Sequence, residues 1–165
     1  MTRYPEGEEF LLWLTRMMAH MDVCDFGCGD GRLARFFDKK HYAGVDKHPA
    51  NIIKAMRTND DYRFACNYTS PIGFYESFGY TLFAHDVMLY IPDKQLSDVV
   101  GRFCQPRIII SEALGRALRT AAVFNREIEE YERTFRAAGY RLHRVQFRMP
   151  ELLSHEIAVL EFHKQ

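Results

Sequence analysis

The stretch Asp25-Phe26-Gly27-Cys28-Gly29-Asp30-Gly31 decides how this chain is read. It follows a short apolar segment, Asp22 to Phe26, that reads as a buried strand. It precedes Leu33, Ala34, Phe36 and Phe37, which share one face of a predicted second helix. A glycine run alone is a weak signal, but between a strand and a helix it reads as a turn that closes on a nucleotide-like ligand. Glycine lets the backbone fold tightly and approach a ligand that a Cβ would exclude. Fifteen residues beyond Gly31 the predicted second strand, Tyr42 to Asp46, ends in an acid. Its two acceptor oxygens suit the 2′ and 3′ hydroxyls of a ribose. The glycines are evenly spaced, whereas a dinucleotide fingerprint is G-x-G-x-x-G, so a nicotinamide oxidoreductase is a weak reading.

Outward from this turn, helical and strand patterns alternate, which predicts a mainly parallel α/β sheet. Phe10, Trp13, Leu14, Met17, Met18 and Met21 recur at helical spacing, so residues 5–20 read as an amphipathic helix. Pro49 suits the first turn of a helix carrying Ile52, Ile53 and Met56. Tyr62 to Cys66 reads as a third strand, Asn67 to Gly79 as a loop and Tyr80 to Ala84 as a fourth strand. Pro92-Asp93 starts a helix with Leu96, Val99, Val100 and Phe103 on one face. Ile108 to Ser111 is the most strand-like run and belongs at the centre of the sheet. Ile128, Tyr131, Phe135 and Ala138 line a long helix that stops at Gly139. Tyr140 to Arg148 and His155 to Phe162, on either side of Met149-Pro150-Glu151, should pair antiparallel at one end of the sheet.

The chain has 165 residues, with 22 Lys+Arg against 22 Asp+Glu, 47% hydrophobic and 27% charged residues. This is the composition of one globular domain spanning 1–165, and it excludes repeat, collagen-like and disordered classes. No apolar run approaches the ~18 residues of a membrane span. Glu6, Glu8 and Glu9 stand where a signal peptide would be basic and then apolar, so the expected compartment is cytoplasmic. Cys24 and Cys28 lack a second pair at ligand spacing, and the histidines show no H-x3-H or H-E-x-x-H pattern, so no metal site is predicted. Arg102 to Arg148 holds ten Arg, no Lys and five Glu, a local excess of +5. That excess is either a contact face for an anionic partner or a helix surface whose arginines pair with Glu127, Glu129, Glu130 and Glu132. Zero net charge disfavours, without excluding, a nucleic-acid partner.

Taken together, the chain resembles the class I S-adenosylmethionine-dependent methyltransferases, in the same element order over nearly its whole length. The resemblance implies a Rossmann-like three-layer sandwich with a seven-stranded, mostly parallel sheet in the order 3-2-1-4-5-7-6 and the last strand antiparallel. It implies that the loop of Asp25, Gly27, Cys28, Gly29 and Gly31 wraps the methionine part of S-adenosylmethionine. Asp46 and Lys47 would then face the ribose. Asn67 and Tyr68 stand where the family has an acid and an apolar residue around the adenine. Asn67 can bond the adenine amino group and Tyr68 can stack, although Asn67 is equally a turn former. Tyr80 to Asp93 is similar to the family's fourth-strand motif, with Ile91-Pro92-Asp93 matching and Leu89-Tyr90 replacing Glu-His. Phe124 to Tyr140 resembles the last helix. Residues 1–21 would pack on or near the cofactor.

Methyl transfer needs an acceptor lone pair held in line with the sulfonium methyl, and positioning supplies much of the rate. For a hydroxyl acceptor a base adds to it. His85, expected just past the fourth strand, is the best-placed histidine for that role and for touching the cofactor. Tyr90, Asp86 and Glu112 are candidate acceptor contacts, with Tyr90 also a candidate for catalysis. Glu112 reads more readily as electrostatic support for a following helix. Neither an N-terminal extension nor an insertion after the fifth strand is full-sized, which predicts an open acceptor site. Either a homodimer completes it for a small or glycan-like acceptor, or RNA or protein docks on it. A non-catalytic cofactor-binding scaffold is the reading from another class.

Overall fold

The computed structural model describes residues 7–66, 79–114, 123–148 and 156–165. Its strands are β1 (Val23–Phe26), β2 (Tyr42–Asp46), β3 (Arg63–Cys66), β4 (Thr81–His85), β5 (Arg107–Ala113), β6 (Tyr140–Arg148) and β7 (Ile157–Lys164). They form one sheet in the order β3-β2-β1-β4-β5-β7-β6. β1 to β5 run parallel, and β7 runs antiparallel to both its neighbours. This is the expected Rossmann-like topology. Strand order reverses beside β1, with β2 on one side and β4 on the other, and that reversal opens a crevice at the carboxyl ends of the strands.

The helices are α1 (Glu8–Arg16), α2 (Pro49–Thr58), α3 (Asp93–Gly101) and α4 (Ile128–Ala137). Alternating side chains send the two faces of the sheet to different layers. Leu82, Ala84, Ile108 and Ile110 pack with Leu96 and Val100 of α3 and Tyr131 and Phe135 of α4. Phe83 and Ile109 face the other way, against Phe10, Leu11 and Leu14 of α1. Burying each such side chain stabilises the fold by about 1.5–3 kcal/mol before the cost of ordering it. α4 opens on a capping box between Glu127 and Glu130, and Gly139 follows it at φ 85.

Three local expectations are corrected. The helix expected over Leu33 to Phe37 is a single 3-10 turn, Ala34–Phe36. Few residues separate Gly31 from β2, and a short segment returning to the sheet cannot repay the nucleation of an α-helix. His85 is the last residue of β4 rather than the first beyond it. Glu112 lies inside β5, because β7 pairs onward through Glu112↔Ala158 and Ala113↔Ile157. Residues 1–6 of the predicted N-terminal segment, Asn67, Tyr68 and the turn at Met149-Pro150-Glu151 lie outside the described residues.

Candidate active site

The glycine loop is built from three positive-φ residues, Gly27 at 78°, Gly29 at 57° and Gly31 at 77°. The amides of Gly27 and Cys28 both donate to Val45 O, at 2.8 and 3.0 Å, which hooks the loop over the end of β2. A Cβ on Gly27 would stand 2.6 Å from Val87 Cγ2, and one on Gly31 would lie 3.0 Å from Ala55 and Phe64. A Cβ on Gly29 would meet nothing within 4 Å. The first and third glycines therefore serve packing, and the middle one faces open space.

That middle glycine is tied to the predicted ribose acid. Gly29 N–H donates to Asp46 Oδ2 at 3.0 Å, while Asp46 Oδ1 accepts from His48 N–H at 2.7 Å and Asn51 Nδ2 at 3.3 Å. Asp46 is half-buried at the mouth of a cavity of about 760 Å³ whose wall includes Gly27, Lys47, Asp86, Tyr90 and Arg102. That volume lies within the 300–1,000 Å³ usual for small-molecule and cofactor sites. A glycine cradle with room above it, beside a carboxylate with spare lone pairs, fits the methionine and ribose parts of S-adenosylmethionine.

The remaining predicted residues divide between this cavity and the core behind it. Asp86 is on the wall with φ 53, a left-handed conformation that Asp tolerates better than most residues. Its N–H is held by Ser111 O at 3.0 Å. Tyr90 is also on the wall and 59% exposed. Asp25 is 2% exposed and accepts a 2.6 Å hydrogen bond from Tyr42 Oη. Burial pushes its carboxyl up to about 6, against the lowering effect of that hydrogen bond. It lies beneath the loop rather than on the cavity wall. The Cys28 thiol is buried as well and is pushed up by that burial.

His85 turns away from the cavity, because β4 alternation places it on the α1 face with Phe83. Its ring lies parallel to Phe83 at 6.4 Å, 6.1 Å from Phe10, with Nδ1 3.1 Å from Ser111 Oγ. Its side chain has no solvent exposure, and its Nε2 is 3.8 Å from Asp86 Oδ2. The ring thus lies behind the Asp86 carboxylate, on its buried side. Glu112 is fully buried on the opposite face of the sheet. Its Oε1 accepts from Val87 N–H at 3.0 Å and Met88 N–H at 2.7 Å. Burial pushes its carboxyl up to about 8, and Asp86 adds to the effect. Glu112 thereby sets Val87 against Gly27, acting on the site through the loop.

Two supporting residues were not singled out from sequence. Arg126 is 2% exposed; its Nη1 donates to Met88 O at 2.9 Å, its Nη2 to Ile91 O at 2.5 Å, and its Nη2 pairs with Asp93 Oδ1 at 2.8 Å. It anchors the whole Met88–Asp93 segment on which Tyr90 sits. Asn125 Nδ2 donates to Ala113 O at 2.6 Å. In sequence both sit in an arginine- and glutamate-rich stretch, where nothing local separates a buried Arg from a solvated one.

No protein-family model and no curated protein matches this chain. Solved structures do. The magnesium protoporphyrin IX methyltransferase ChlM from Synechocystis, with bound SAH, aligns over 96% of this chain and 81% of its own, with 16% identity and a TM-score of 0.67. The [4+2]-cyclase SpnF aligns over 99% and 83%, with 13% identity and a TM-score of 0.72. A putative methyltransferase in complex with the Haloferax volcanii Trm112 activator aligns over 99% and 90%, with 12% identity and a TM-score of 0.71. These likenesses establish that the chain has the Rossmann-like methyltransferase fold. Among the described residues, no helix is long and apolar enough to cross a membrane.

Proposed function

We propose that this chain is an S-adenosylmethionine-dependent methyltransferase acting on an oxygen or nitrogen of a small or glycan-like acceptor, with S-adenosylhomocysteine as the product. The observation that carries this reading is the clasp of Gly29 N–H on Asp46, beside an open cavity, in a fold shared with a methyltransferase that holds SAH. When bound, S-adenosylmethionine supplies an activated methyl group on a sulfonium. The backbone of Gly27 and Gly29 takes its methionine part, Asp46 and Lys47 the ribose side, and Asn67 and Tyr68, by their place in the sequence, the adenine.

Asp86 and Tyr90 orient the acceptor from the cavity wall, and positioning of this kind contributes about 7–11 kcal/mol to a displacement. His85 stands behind Asp86, with its Nε2 3.8 Å from the carboxylate. We assign the cytoplasm as the compartment, in keeping with four cysteines that form no disulfide. Calorimetric titration of the purified chain with S-adenosylhomocysteine tests the cofactor, and binding is expected in the wild type and lost in Gly29→Arg. Absence of binding, or equal binding by the variant, overturns the reading.

A second reading, an open-faced enzyme completed by another protein, is favoured by the similar methyltransferase seen in complex with an activator. Light scattering separates the two. A homodimer supports a small acceptor under a shared lid, and a monomer supports a docked partner.

A further inference from the structure

The crevice lies at the carboxyl ends of β1, β2 and β4, and the opposite end of the sheet holds a cluster that the proposed reaction does not use. Register between β6 and β7 slips between Leu142 and Arg144, so that His143 and Arg144 together oppose Glu161. Such a bulge inserts one extra residue, bends its strand and re-aims side chains. Here it seats the His143 ring against that of His163, with centroids 4.3 Å apart and planes 14° from parallel. Glu161 lies two residues before His163 and therefore on the same face of β7. Its Oε1 is 2.7 Å from His163 Nε2. One ligand atom from each of the three residues lies within 4.8 Å of the other two.

The donor set is two imidazoles and one carboxylate. Calcium and magnesium demand about six or more oxygens, which one carboxylate cannot supply. Zinc-class ions accept nitrogen and oxygen at about 2.0–2.2 Å and commonly take three protein ligands plus water. We propose that His143, Glu161 and His163 form a binding site for a divalent transition metal of the zinc class, with water completing the coordination. The ion takes the place of the hydrogen bond between His163 Nε2 and Glu161 Oε1. Imidazole lone pairs lie in the ring plane, so the exposed His143 ring must turn out of its stack on His163 for both to reach one ion.

Arg107 Nε lies 3.3 Å from Glu161 Oε1 and Arg144 Nε 3.8 Å from Glu161 Oε2. They orient the carboxylate as outer partners of a metal ligand do. They also oppose the incoming cation, and Arg144, half-exposed, is the one able to swing into solvent. Because His163 pairs with Arg107 at the start of β5, the ion would sit far from the cavity and act as a staple between β6 and β7. The sequence spacing concealed the site, because its ligands converge across two strands and depend on the bulge.

Cobalt(II) titration of the full chain, read by visible absorption, tests the proposal, with zinc(II) competition and a melting curve alongside. Cobalt bands should appear, vanish on adding zinc, and be accompanied by a zinc-dependent rise in melting temperature. His143→Ala and His163→Ala should each weaken binding at least about tenfold. His41→Ala, whose ring pairs with Asp22 outside the cluster, should leave binding unchanged. Absence of cobalt bands, or undiminished affinity in His143→Ala with wild-type circular dichroism, overturns the proposal.

Discussion

Val87 approaches Gly27 so closely that the glycine is held there by two separate demands: the clash of any Cβ with the valine methyls and a φ of 78°. Gly27→Ala should therefore destabilise the fold by about 1–3 kcal/mol in urea denaturation. Adding Val87→Ala should recover the part due to the clash and leave the conformational part. The two buried acids make a second residue-scale prediction. The Glu112 carboxyl titrates at about 8 in the fold against an ordinary 4.5, and Asp25 at about 6 against 3.8. Both are raised, so the folded state holds their protons more tightly than the unfolded chain. Their contribution is complete below the ordinary values and is lost as pH rises through the folded ones. Unfolding free energy should thus fall by ~2 kcal/mol or more between pH 5 and 8. Glu112→Gln keeps an acceptor for Val87 and Met88 and should flatten most of that slope; an unchanged slope would remove Glu112 as its source.

At the scale of elements, the Met88–Asp93 segment is secured by a guanidinium that enters from the residues before α4. Arg126→Ala would strip Met88 O, Ile91 O and Asp93 of their buried donor at one stroke. A loss of about 1–3 kcal/mol is expected from the carbonyls left without a donor, with faster amide exchange across residues 88–93. Arg126→Lys should recover little, since one ammonium cannot serve three acceptors in the planar arrangement of the fork. Elements with strong local signals were legible in the sequence. β2 and β6 keep the predicted bounds Tyr42–Asp46 and Tyr140–Arg148, α2 starts at Pro49, and α4 ends before Gly139. The 3-10 turn at Ala34–Phe36 was not legible, because its apolar spacing is helical and only the short return to β2 forbids a full helix. Glu112 was misplaced at the end of β5 for a similar reason: β7, a strand distant in sequence, extends the pairing.

For the whole molecule, the proposed cofactor offers a direct check through linkage. A ligand that binds only the folded chain stabilises it by about 2.7 kcal/mol at one hundred times its Kd. S-adenosylhomocysteine at that concentration should raise the melting temperature by roughly 5–10 °C. The Gly29→Arg chain, whose added side chain begins in open space but must adopt a φ of 57°, should fold with reduced stability and show no such rise. Zinc should stabilise both chains alike, since its proposed ligands stand at the other end of the sheet. A Gly29→Arg chain that lost the zinc effect as well would indicate damage to the fold rather than to one site.

The succession of strands, the glycine loop and the acid at the end of β2 are legible in the sequence, because each rests on local pattern. Alternation, capping and turn chemistry act over a few residues and leave their mark in the letters. Which candidate side chains face the cavity depends on long-range packing. Asp86 and Tyr90 do, whereas Asp25, His85 and Glu112 are enclosed. The same packing also converted one arginine of a charged stretch into a buried anchor and brought two histidines from different strands into contact. The physical reason is the same throughout: a strand alternates its side chains with a period of two. The choice of face then depends on register with strands and helices far away in the chain, and on what they bury.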